Sequence, residues 1–239
     1  MSRRRPIPRL GPALEFPDPR RAPADAPLAM GGDLSPDRLR LAYRMGIFPW
    51  YSEELPVLWH SPDPRMGIIV PEFHLPSRLA RTLRSGRFRL TVDTDFPAII
   101  RACATVPRPT QDGTWITPEM IEAYERLHQE GTAHCVACHD PDDQLVGGIY
   151  GVAVGRIFCG ESMFHTARDA SKAALAGLLA VLRRGGFVLL DTQVPSEHLI
   201  QFGAMIVPRP IFLDLLDAVR DEPVPADCWS VDPMECLNS

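Results

Sequence analysis

The sequence predicts a mixed sheet with helices packed on it, a fold of the α+β or α/β class. Two apolar segments, 144–154 and 157–164, flank Gly155-Arg156, and this spacing is typical of a β-hairpin. A helix is predicted over 170–184, and the fully apolar strand 187–190 follows it. Hairpin, helix and buried strand in this order indicate a sheet with a functional site at its strand ends.

Three helices have predicted N-terminal caps. Ser35 precedes Pro36, and a capping side chain followed by proline at the first helical position is a typical helix start. Thr117 and Pro118 repeat that signal before a second apolar stripe. Asp169 is the predicted N-cap of the helix that follows the hairpin. Glycines close all three helices, as expected for helix ends.

The segment between the first helix and residue 67 is rich in proline. Residues 47–64 contain Pro49, Pro56, Pro62 and Pro64 beside three aromatic residues, so we expect an ordered, aromatic-lined loop without regular structure. We therefore predict a small N-terminal domain over residues 1–67, which begins with a leader rich in proline and arginine. A larger domain is predicted over residues 68–239.

Composition limits the class of protein. Hydrophobic residues make up 45% and charged residues 23%, which is ordinary for a globular chain. No apolar run approaches the ~20 residues that span a bilayer, and no apolar segment follows the basic start, so we expect no membrane contact and a cytoplasmic location. The formal net charge is -5, yet Arg78, Arg81 and Arg84 form a local basic cluster. That cluster is either a solvated helix face or a phosphate-binding patch.

The segment Cys135-Val-Ala-Cys138-His139 matches a haem-attachment motif in its letters. Haem attachment to this motif belongs to exported proteins, and a structural zinc site would need a second cysteine or histidine pair. We therefore expect neither haem nor metal here, and we expect reduced cysteines throughout.

Three polar residues stand where packing alone does not explain them. Glu161 ends an apolar strand, Asp191 directly follows another, and Gln193 lies two residues later on the same face. Two acids and an amide at adjacent strand ends can orient an attacking amine, take up its charge or hold a cationic group. The structural alternative for each acid is helix capping or a buried ion pair with arginine.

Other catalytic motifs are absent from the sequence. Ser162 stands in Gly-Glu-Ser-Met, which lacks the closing glycine of a hydrolase nucleophile elbow. There is no Walker loop and no G-x-G-x-x-G segment, so phosphate binding by those devices is not indicated. Taken together, Glu161, Asp191 and Gln193 indicate a functional site at the strand ends.

Many ordered motifs between about residues 16 and 216 resemble the leucyl/phenylalanyl-tRNA–protein transferase family. They are Gly31-Gly-Asp-Leu-Ser-Pro36, Ala42-Tyr-Arg-Met-Gly-Ile-Phe-Pro-Trp50, Ser61-Pro-Asp-Pro-Arg65, Gly113-Thr-Trp-Ile116, Gly147-Gly-Ile-Tyr-Gly151, Gly160-Glu-Ser-Met-Phe164, Ala170-Ser-Lys172 and Asp191-Thr-Gln193. The resemblance implies a catalytic domain with the N-acetyltransferase-like fold over residues 68–239. It also implies transfer of Leu or Phe, with Met as a further candidate, from aminoacyl-tRNA to the α-amine of proteins that begin with Arg or Lys. The product is an N-degron for proteolysis, no metal or organic cofactor takes part, and we expect a monomer.

The resemblance assigns roles by position. Asp191, Gln193 and Glu161 would surround the acceptor amine, with Gln193 at the reacting centre, as a base relay or as positioning groups for a substrate-assisted reaction. The resemblance also implies three groups of substrate contacts. The transferred side chain would enter an apolar pocket formed by Ile149, Phe158, Leu178 and Leu190, with Ser162 as a further substrate contact. The terminal adenosine would stack on Trp50, Trp115 and Tyr124, and tRNA phosphates would contact Arg78, Arg81 and Arg84.

The chain departs from the family pattern at several positions. Ala137 replaces a usual glutamate, His60 a tryptophan and Thr192 a cysteine. Two alternatives remain open at this point. An acetyl-CoA-dependent N-acetyltransferase would need a glycine-rich loop before the helix at 170, and residues 165–169 contain no glycine. A catalytically inactive tRNA- or peptide-binding relative would fit the loss of the glutamate.

Overall fold

The protein is described by a computed structural model that covers residues 6–106 and 114–238. Gly113, part of one family motif, and the Arg-rich residues 1–5 lie outside the described part of the chain. Eight α-helices occur in the described ranges: α1 (Pro36–Arg44), α2 (Ser77–Arg84), α3 (Phe96–Thr105), α4 (Pro118–Gln129), α5 (Ala170–Arg184), α6 (Glu197–Ile200), α7 (Arg209–Val219) and α8 (Pro233–Asn238). None of them is both long and apolar enough to cross a membrane.

The described strands form two sheets. The smaller sheet contains β1 (Arg9–Leu10), β2 (Ala29–Gly31), β3 (Phe48–Pro49) and β4 (Leu58–His60), in the spatial order β1-β2-β4-β3. The larger sheet contains β5 (Arg65–Ile69), β6 (Arg89–Val92), β7 (Ala133–His139), β8 (Leu145–Val154), β9 (Ile157–His165), β10 (Leu189–Asp191) and β11 (Met205–Val207). Its spatial order is β11-β5-β10-β9-β8-β7-β6.

The larger sheet is mixed, which confirms the predicted fold class. Strands β8 and β9 form the predicted antiparallel hairpin, and β10 returns parallel to β9 after the crossover through α5. A parallel neighbour requires such a crossover, and a helix is its usual form. The remaining neighbours in this sheet are antiparallel.

Two apolar cores cover the two faces of the larger sheet. Helices α1, α3, α4 and α7 bury their apolar residues against one face. Helices α2, α5 and α8 pack against the other face. Helix α5 is apolar around most of its circumference, and a helix of that kind is stable only inside a core. We call the first face the α4 face and the second the α5 face.

Helix caps follow the sequence at two of the three predicted starts. The hydroxyls of Ser35 and Thr117 accept hydrogen bonds from the amides of Arg38 and Met120, at 3.4 and 3.3 Å. The prediction that the Asp169 side chain caps the helix after the hairpin was wrong. Asp169 precedes α5 but lies in the left-handed region with φ 70°, and its side chain caps no amide of the helix.

The prediction that residues 47–64 lack regular structure was also wrong. Strands β3 and β4 lie within this segment and pair antiparallel, with Pro49 opposite Trp59. Proline lacks only the amide donor, and Pro49 lies on the edge strand of the small sheet, where one missing donor is tolerated. The tryptophan is buried, and its indole nitrogen donates to the Gly31 carbonyl at 2.8 Å.

The predicted domain boundary near residue 67 falls inside β5. This strand pairs with both β10 and β11 of the larger sheet. The N-terminal segment is also tied to α7, because the buried Arg209 guanidinium donates to the carbonyls of Ala22, Pro23 and Ser61. The division into residues 1–67 and 68–239 stays a prediction.

Candidate active site

The two predicted acids approach each other where β9 and β10 stop pairing. The last paired residues are Asp191 on β10 and Cys159 on β9. Strand β9 continues to His165, while β10 ends at Asp191, so the strands separate immediately before Glu161. Asp191 is fully buried and Glu161 is 9% exposed.

A β-bulge positions Glu161. Opposite β8, Tyr150 pairs with Ser162 and Gly151 pairs with Gly160, so Glu161 is the extra residue on β9. A bulge of this kind bends a strand and redirects the side chain of the unpaired residue. The Glu161 carboxylate points to the α4 face, where it meets the buried hydroxyl of Tyr124 at 3.3 Å.

Glu161 is the centre of a buried hydrogen-bond chain. The Gln193 side-chain amide donates to Glu161 Oε1 at 2.6 Å, and the Tyr124 hydroxyl donates to Oε2. The hydroxyls of Tyr43 and Tyr124 share a further hydrogen bond. Two tyrosines, from α1 and α4, thus extend the hydrogen-bond chain that Gln193 and Glu161 begin.

Burial dominates the acidity of Glu161. Desolvation raises its pKa from 4.5 to about 7, because a carboxylate loses more hydration than a carboxylic acid. Hydrogen bonds from Tyr43, Gln193 and Tyr124 oppose that rise, and the Asp191 charge adds to it. A carboxyl group with this pKa exists in both protonation states at neutral pH.

Asp191 is held by a buried arginine. Arg65 on β5 forms an ion pair with Asp191 through Nη2, and its Nε donates to Oδ1 at 3.3 Å. The Gln193 backbone amide donates to the same Oδ1 at 3.0 Å. Gln193 itself has φ 65°, a left-handed conformation that costs free energy for a residue with a side chain. Asp191 therefore anchors the turn that presents Gln193 to Glu161.

Sequence reasoning assigned no role to Arg65. In the sequence, Arg65 is only the last residue of the motif Ser61-Pro-Asp-Pro-Arg65, and the ion pair considered for Asp191 has no specified arginine. The usable signal was the burial expected at Asp191, because a buried carboxylate needs a cationic partner. Which arginine fills that role depends on the antiparallel pairing of β5 with β10, which joins Gly67 to Asp191.

The three predicted stacking aromatics lie in different environments. Trp50 is 42% exposed and packs edge to face against His60, with ring centroids 5.5 Å apart. Trp115 is half-buried, and Tyr124 is wholly buried. The prediction that Tyr124 stacks on adenosine is not supported, because neither face of its ring is open; its hydroxyl serves Glu161 instead.

The predicted apolar pocket residues lie together on the α5 face. Phe158, Leu178 and Leu190 are fully buried there, and Ile149 is 5% exposed. Ser162 is half-buried next to Glu161. The apolar set and the polar set therefore lie on opposite faces of the sheet, on either side of the gap between β9 and β10.

The predicted tRNA-binding arginines lie on one helix. Arg78, Arg81 and Arg84 are exposed on α2, whose leucines Leu79 and Leu83 face the core. In the described part of the chain, no acidic side chain forms a salt bridge with these three arginines. Their charge is available to an anionic partner.

The two thiols of the Cys-x-x-Cys-His segment point to opposite faces of β7. Cys135 packs in the core of the α4 face and Cys138 in that of the α5 face, so one metal or haem cannot reach both. Burial raises the pKa of Cys138 to about 12. His134 donates or accepts at Asp93, 2.7 Å away, and stacks on Trp229 with centroids 3.8 Å apart.

Ala137 lies on β7, two strands from Glu161. It is fully buried between Thr91 on β6 and Gly148 on β8. A glutamate there would need its own partner in the core of the α4 face. Thr192, which replaces a usual cysteine, donates its hydroxyl and its amide to the Met66 carbonyl at 3.0 and 2.8 Å.

Comparison with known proteins identifies the family. The model described as leucyl/phenylalanyl-tRNA protein transferase matches residues 68–217, and the model of its N-terminal domain matches residues 32–63. Proteins named leucyl/phenylalanyl-tRNA–protein transferase are similar over most of the chain. The one from Solidesulfovibrio magneticus is 53% identical over 87% of this chain and 83% of its own length. Those from Desulfatibacillum aliphaticivorans and Anaeromyxobacter dehalogenans are each 49% identical over 95% of this chain and 97% of their own lengths. With matches of this extent, the chain belongs to the leucyl/phenylalanyl-tRNA–protein transferase family.

Proposed function

We propose that this enzyme transfers Leu or Phe from aminoacyl-tRNA to the α-amine of proteins that begin with Arg or Lys. Aminoacyl transfer from tRNA to protein is the activity named for its relatives. The acceptor class is our addition. The observation that carries it is the 2.6 Å hydrogen bond from Gln193 to the buried Glu161, beside a neutralised Asp191.

The amide of Gln193 has a defined orientation for this reaction. Its nitrogen donates to Glu161, so its carbonyl oxygen is the atom that faces an incoming amine. The amine attacks the ester carbonyl carbon, a C–N bond forms and the bond to the ribose oxygen breaks. The amine loses a proton and the ribose oxygen gains one, so the reaction needs no external acid or base.

Glu161 supplies the negative charge of the acceptor site. Arg65 balances the charge of Asp191, which leaves Glu161 as the carboxylate without a cationic partner among its described contacts. Its pKa of about 7 suits a group that takes a proton from an ammonium near neutral pH. The same charge favours an acceptor whose first side chain is cationic.

The donor would approach from the gap between β9 and β10. The apolar side chain of the aminoacyl group fits the set formed by Ile149, Phe158, Leu178 and Leu190, and such a pocket discriminates by ~1–3 kcal/mol per methylene. Trp50 and Trp115 are accessible for contact with the terminal adenosine. Arg78, Arg81 and Arg84 would meet backbone phosphates. We place the enzyme in the cytoplasm, where aminoacyl-tRNA is made, and we expect it to act as a monomer.

A transfer assay tests this proposal. The protein is incubated with radiolabelled Leu-tRNA or Phe-tRNA and a protein that begins with Arg; the matched control is the same protein with an acetylated N-terminus. We expect label on the free amine only. An absence of transfer, with an active relative as the positive control, would overturn the proposal and favour an inactive binding relative. Label from acetyl-CoA in a parallel reaction would favour the acetyltransferase alternative.

A further inference from the structure

One cavity among the described residues lies away from Glu161. It measures about 590 Å³ and lies between α2 and the first turn of α5. Its lining is Pro76, Arg78, Leu79, Thr82, His165, Thr166, Arg168, Asp169, Ser171, Lys172, Gln201 and Phe202. A volume of this size is typical of a small-molecule site. We call it the α2–α5 cavity.

Positive charge dominates the α2–α5 cavity. Arg78 comes from α2, Arg168 from the loop after β9 and Lys172 from α5. The one acidic residue in the lining, Asp169, lies 3.4 Å from Lys172 Nζ and 3.7 Å from Arg168 Nε. Three cations against one carboxylate leave the cavity with a net positive charge, so its preferred ligand is an anion.

The start of α5 adds to this preference. Helix α5 has no acidic residue in its first turn, and the Asp169 side chain accepts no hydrogen bond from its amides. The amides at the start of α5 therefore donate to no capping side chain in the described structure, and the Asp169 carboxylate is paired with Lys172 and Arg168 instead. The buried Ser171 hydroxyl, 3.3 Å from His165 Nδ1, supplies a polar group in the same wall. Arginine, lysine, hydroxyl and helix amides together are the usual ligands of phosphate.

The α2–α5 cavity lies beside the last residues of β9, which contribute His165 to its lining. Strand β10 pairs with β9 only up to Cys159, so β10 does not extend along the residues from Glu161 to His165. Glu161 lies at the reacting end of this segment and His165 in the cavity wall. The two residues are four positions apart along an extended strand, about 13 Å. A strand of RNA whose terminal ester is at Glu161 can follow this segment to the cavity.

We infer that the α2–α5 cavity binds a backbone phosphodiester of the single-stranded 3′ end of the aminoacyl-tRNA. The inference rests on the proposed function and adds a phosphate subsite formed by His165, Arg168, Ser171 and Lys172. Arg78 joins this subsite to the exposed arginines of α2, which continue the basic surface toward the double-stranded stem. Free inorganic polyphosphate carries the same chemistry and is the competing occupant.

Binding of short donor mimics tests the subsite. Two ligands are compared: adenosine with leucine amide-linked at its 3′ position, and the same nucleoside extended by one or two cytidines through phosphodiesters. The variant Arg168→Gln/Lys172→Gln is compared with the wild type and with Arg126→Gln, an exposed arginine of α4 on the opposite face. Affinities are measured by calorimetry at fixed salt.

The inference predicts that the double variant loses affinity for the extended ligands but not for the unextended nucleoside. Extension by phosphodiesters strengthens binding to the wild type, and the double variant loses roughly tenfold or more of that gain, the usual effect of removing hydrogen bonds to a charged group. Affinity for the unextended nucleoside stays within about twofold of the wild type, which also shows that the variant is folded. Arg126→Gln keeps the full gain.

Three results would overturn the inference. These are no gain in the wild type, an unchanged gain in the double variant, or an equal loss for the extended and unextended ligands. Inorganic pyrophosphate forms a separate arm: if the double variant loses pyrophosphate binding but keeps the phosphodiester gain, the cavity belongs to a free polyphosphate. Wild-type transfer from intact Leu-tRNA is measured alongside. If the wild type transfers no leucine, the result counts against the proposed function. If it transfers leucine but the double variant keeps the full gain in affinity from the phosphodiesters, the result counts against the subsite alone.

Discussion

The guanidinium of Arg65 and the carboxylate of Asp191 form an ion pair that water does not reach; the two side chains are 2% and 0% exposed. Arg65 also donates to the Gly46 carbonyl at 3.2 Å and lies over the ring of Phe212, 4.3 Å from its centroid. Asp191 in turn accepts the backbone amide of Gln193. The pair therefore joins the end of α1, the strand β5 and the turn that carries Gln193.

Loss of the arginine should destabilise the fold. In Arg65→Met, Asp191 would be left buried without a partner, and we expect the free energy of unfolding to fall by about 3–5 kcal/mol. Urea denaturation measures this. The double variant Arg65→Met/Asp191→Asn should regain most of the loss, since it removes both charges. The control Arg44→Met breaks an exposed pair with Asp221 and should cost less than about 1 kcal/mol.

Removal of the Gln193 side chain should affect transfer more than donor binding. Gln193→Ala deletes the amide that bonds to Glu161 and that we propose to face the amine, and we expect the rate of transfer to fall roughly a hundredfold. Affinity for Leu-tRNA should change little. Asp191→Ala should behave in the same direction, because it releases the Gln193 backbone. Filter binding and single-turnover transfer separate the two quantities; an equal loss of both would contradict this role.

Glu161 should make stability depend on pH. Its pKa is about 7 in the folded protein and 4.5 when exposed, so the folded state binds the proton more tightly. The stabilising contribution of protonation is complete below pH 4.5 and disappears as the pH rises through about 7, a loss of roughly 3 kcal/mol. Glu161→Gln does not titrate. The free energy of unfolding of Glu161→Gln, relative to the wild type, should therefore rise between pH 5 and pH 8; a constant difference would contradict a raised pKa.

Tyr124 should set the pH at which the enzyme becomes active. Its hydroxyl donates to Glu161 and favours the carboxylate, so Tyr124→Phe should raise the pKa of Glu161 further. We expect the midpoint of the pH–kcat/KM profile to move upward in this variant. The acceptor amine titrates in the same way with both proteins, so it does not contribute to the difference between their midpoints. Tyr51→Phe is the control, because that hydroxyl lies near Thr117 rather than Glu161, and its profile should match the wild type.

The arginines of α2 should govern salt dependence. Arg84→Gln removes one exposed cation, and if it contacts a phosphate the slope of log K against log salt for tRNA binding should become shallower by about 0.7–0.9. In the triple variant Arg78→Gln/Arg81→Gln/Arg84→Gln, the slope should become shallower by up to three times this amount. Arg126→Gln on α4 should leave the slope unchanged. Slopes that fall equally in α2 and α4 variants would indicate non-specific attraction.

Local signals predicted much of the fold. Ser35 and Thr117 capped their helices as expected, because a cap depends on residues three positions away. The alternation of apolar segments around Gly155 predicted the hairpin of β8 and β9 for the same reason. The prediction that residues 47–64 lack regular structure failed at Pro49. A proline is tolerated in a strand at the edge of a sheet, and the position of β3 at the edge is set by its arrangement with β1, β2 and β4.

The proximity of Glu161, Asp191 and Gln193 was predictable from the sequence, but the partners that hold them were not. Glu161 and Asp191 stood out because carboxylates rarely end apolar strands without a reason. The partner Arg65, 126 positions before Asp191, and the tyrosines of α1 and α4 became visible only after the chain had folded. Burial of the Tyr124 ring follows from packing of α4 on the sheet, which no local pattern encodes.

The extra residue at Glu161 is not needed for the pairing of β9 with β8. Beyond the bulge, Ser162 and Met163 pair with Tyr150 and Ile149, one position out of step with the residues before it. Deletion of Glu161 would leave a regular strand, in which Gly160 and Ser162 keep their partners Gly151 and Tyr150 and therefore their faces. Such a deletion should cost the sheet little and the site its carboxylate, so during divergence the spacing from Gly160 to Ser162 should follow the function of the protein and not the stability of the fold.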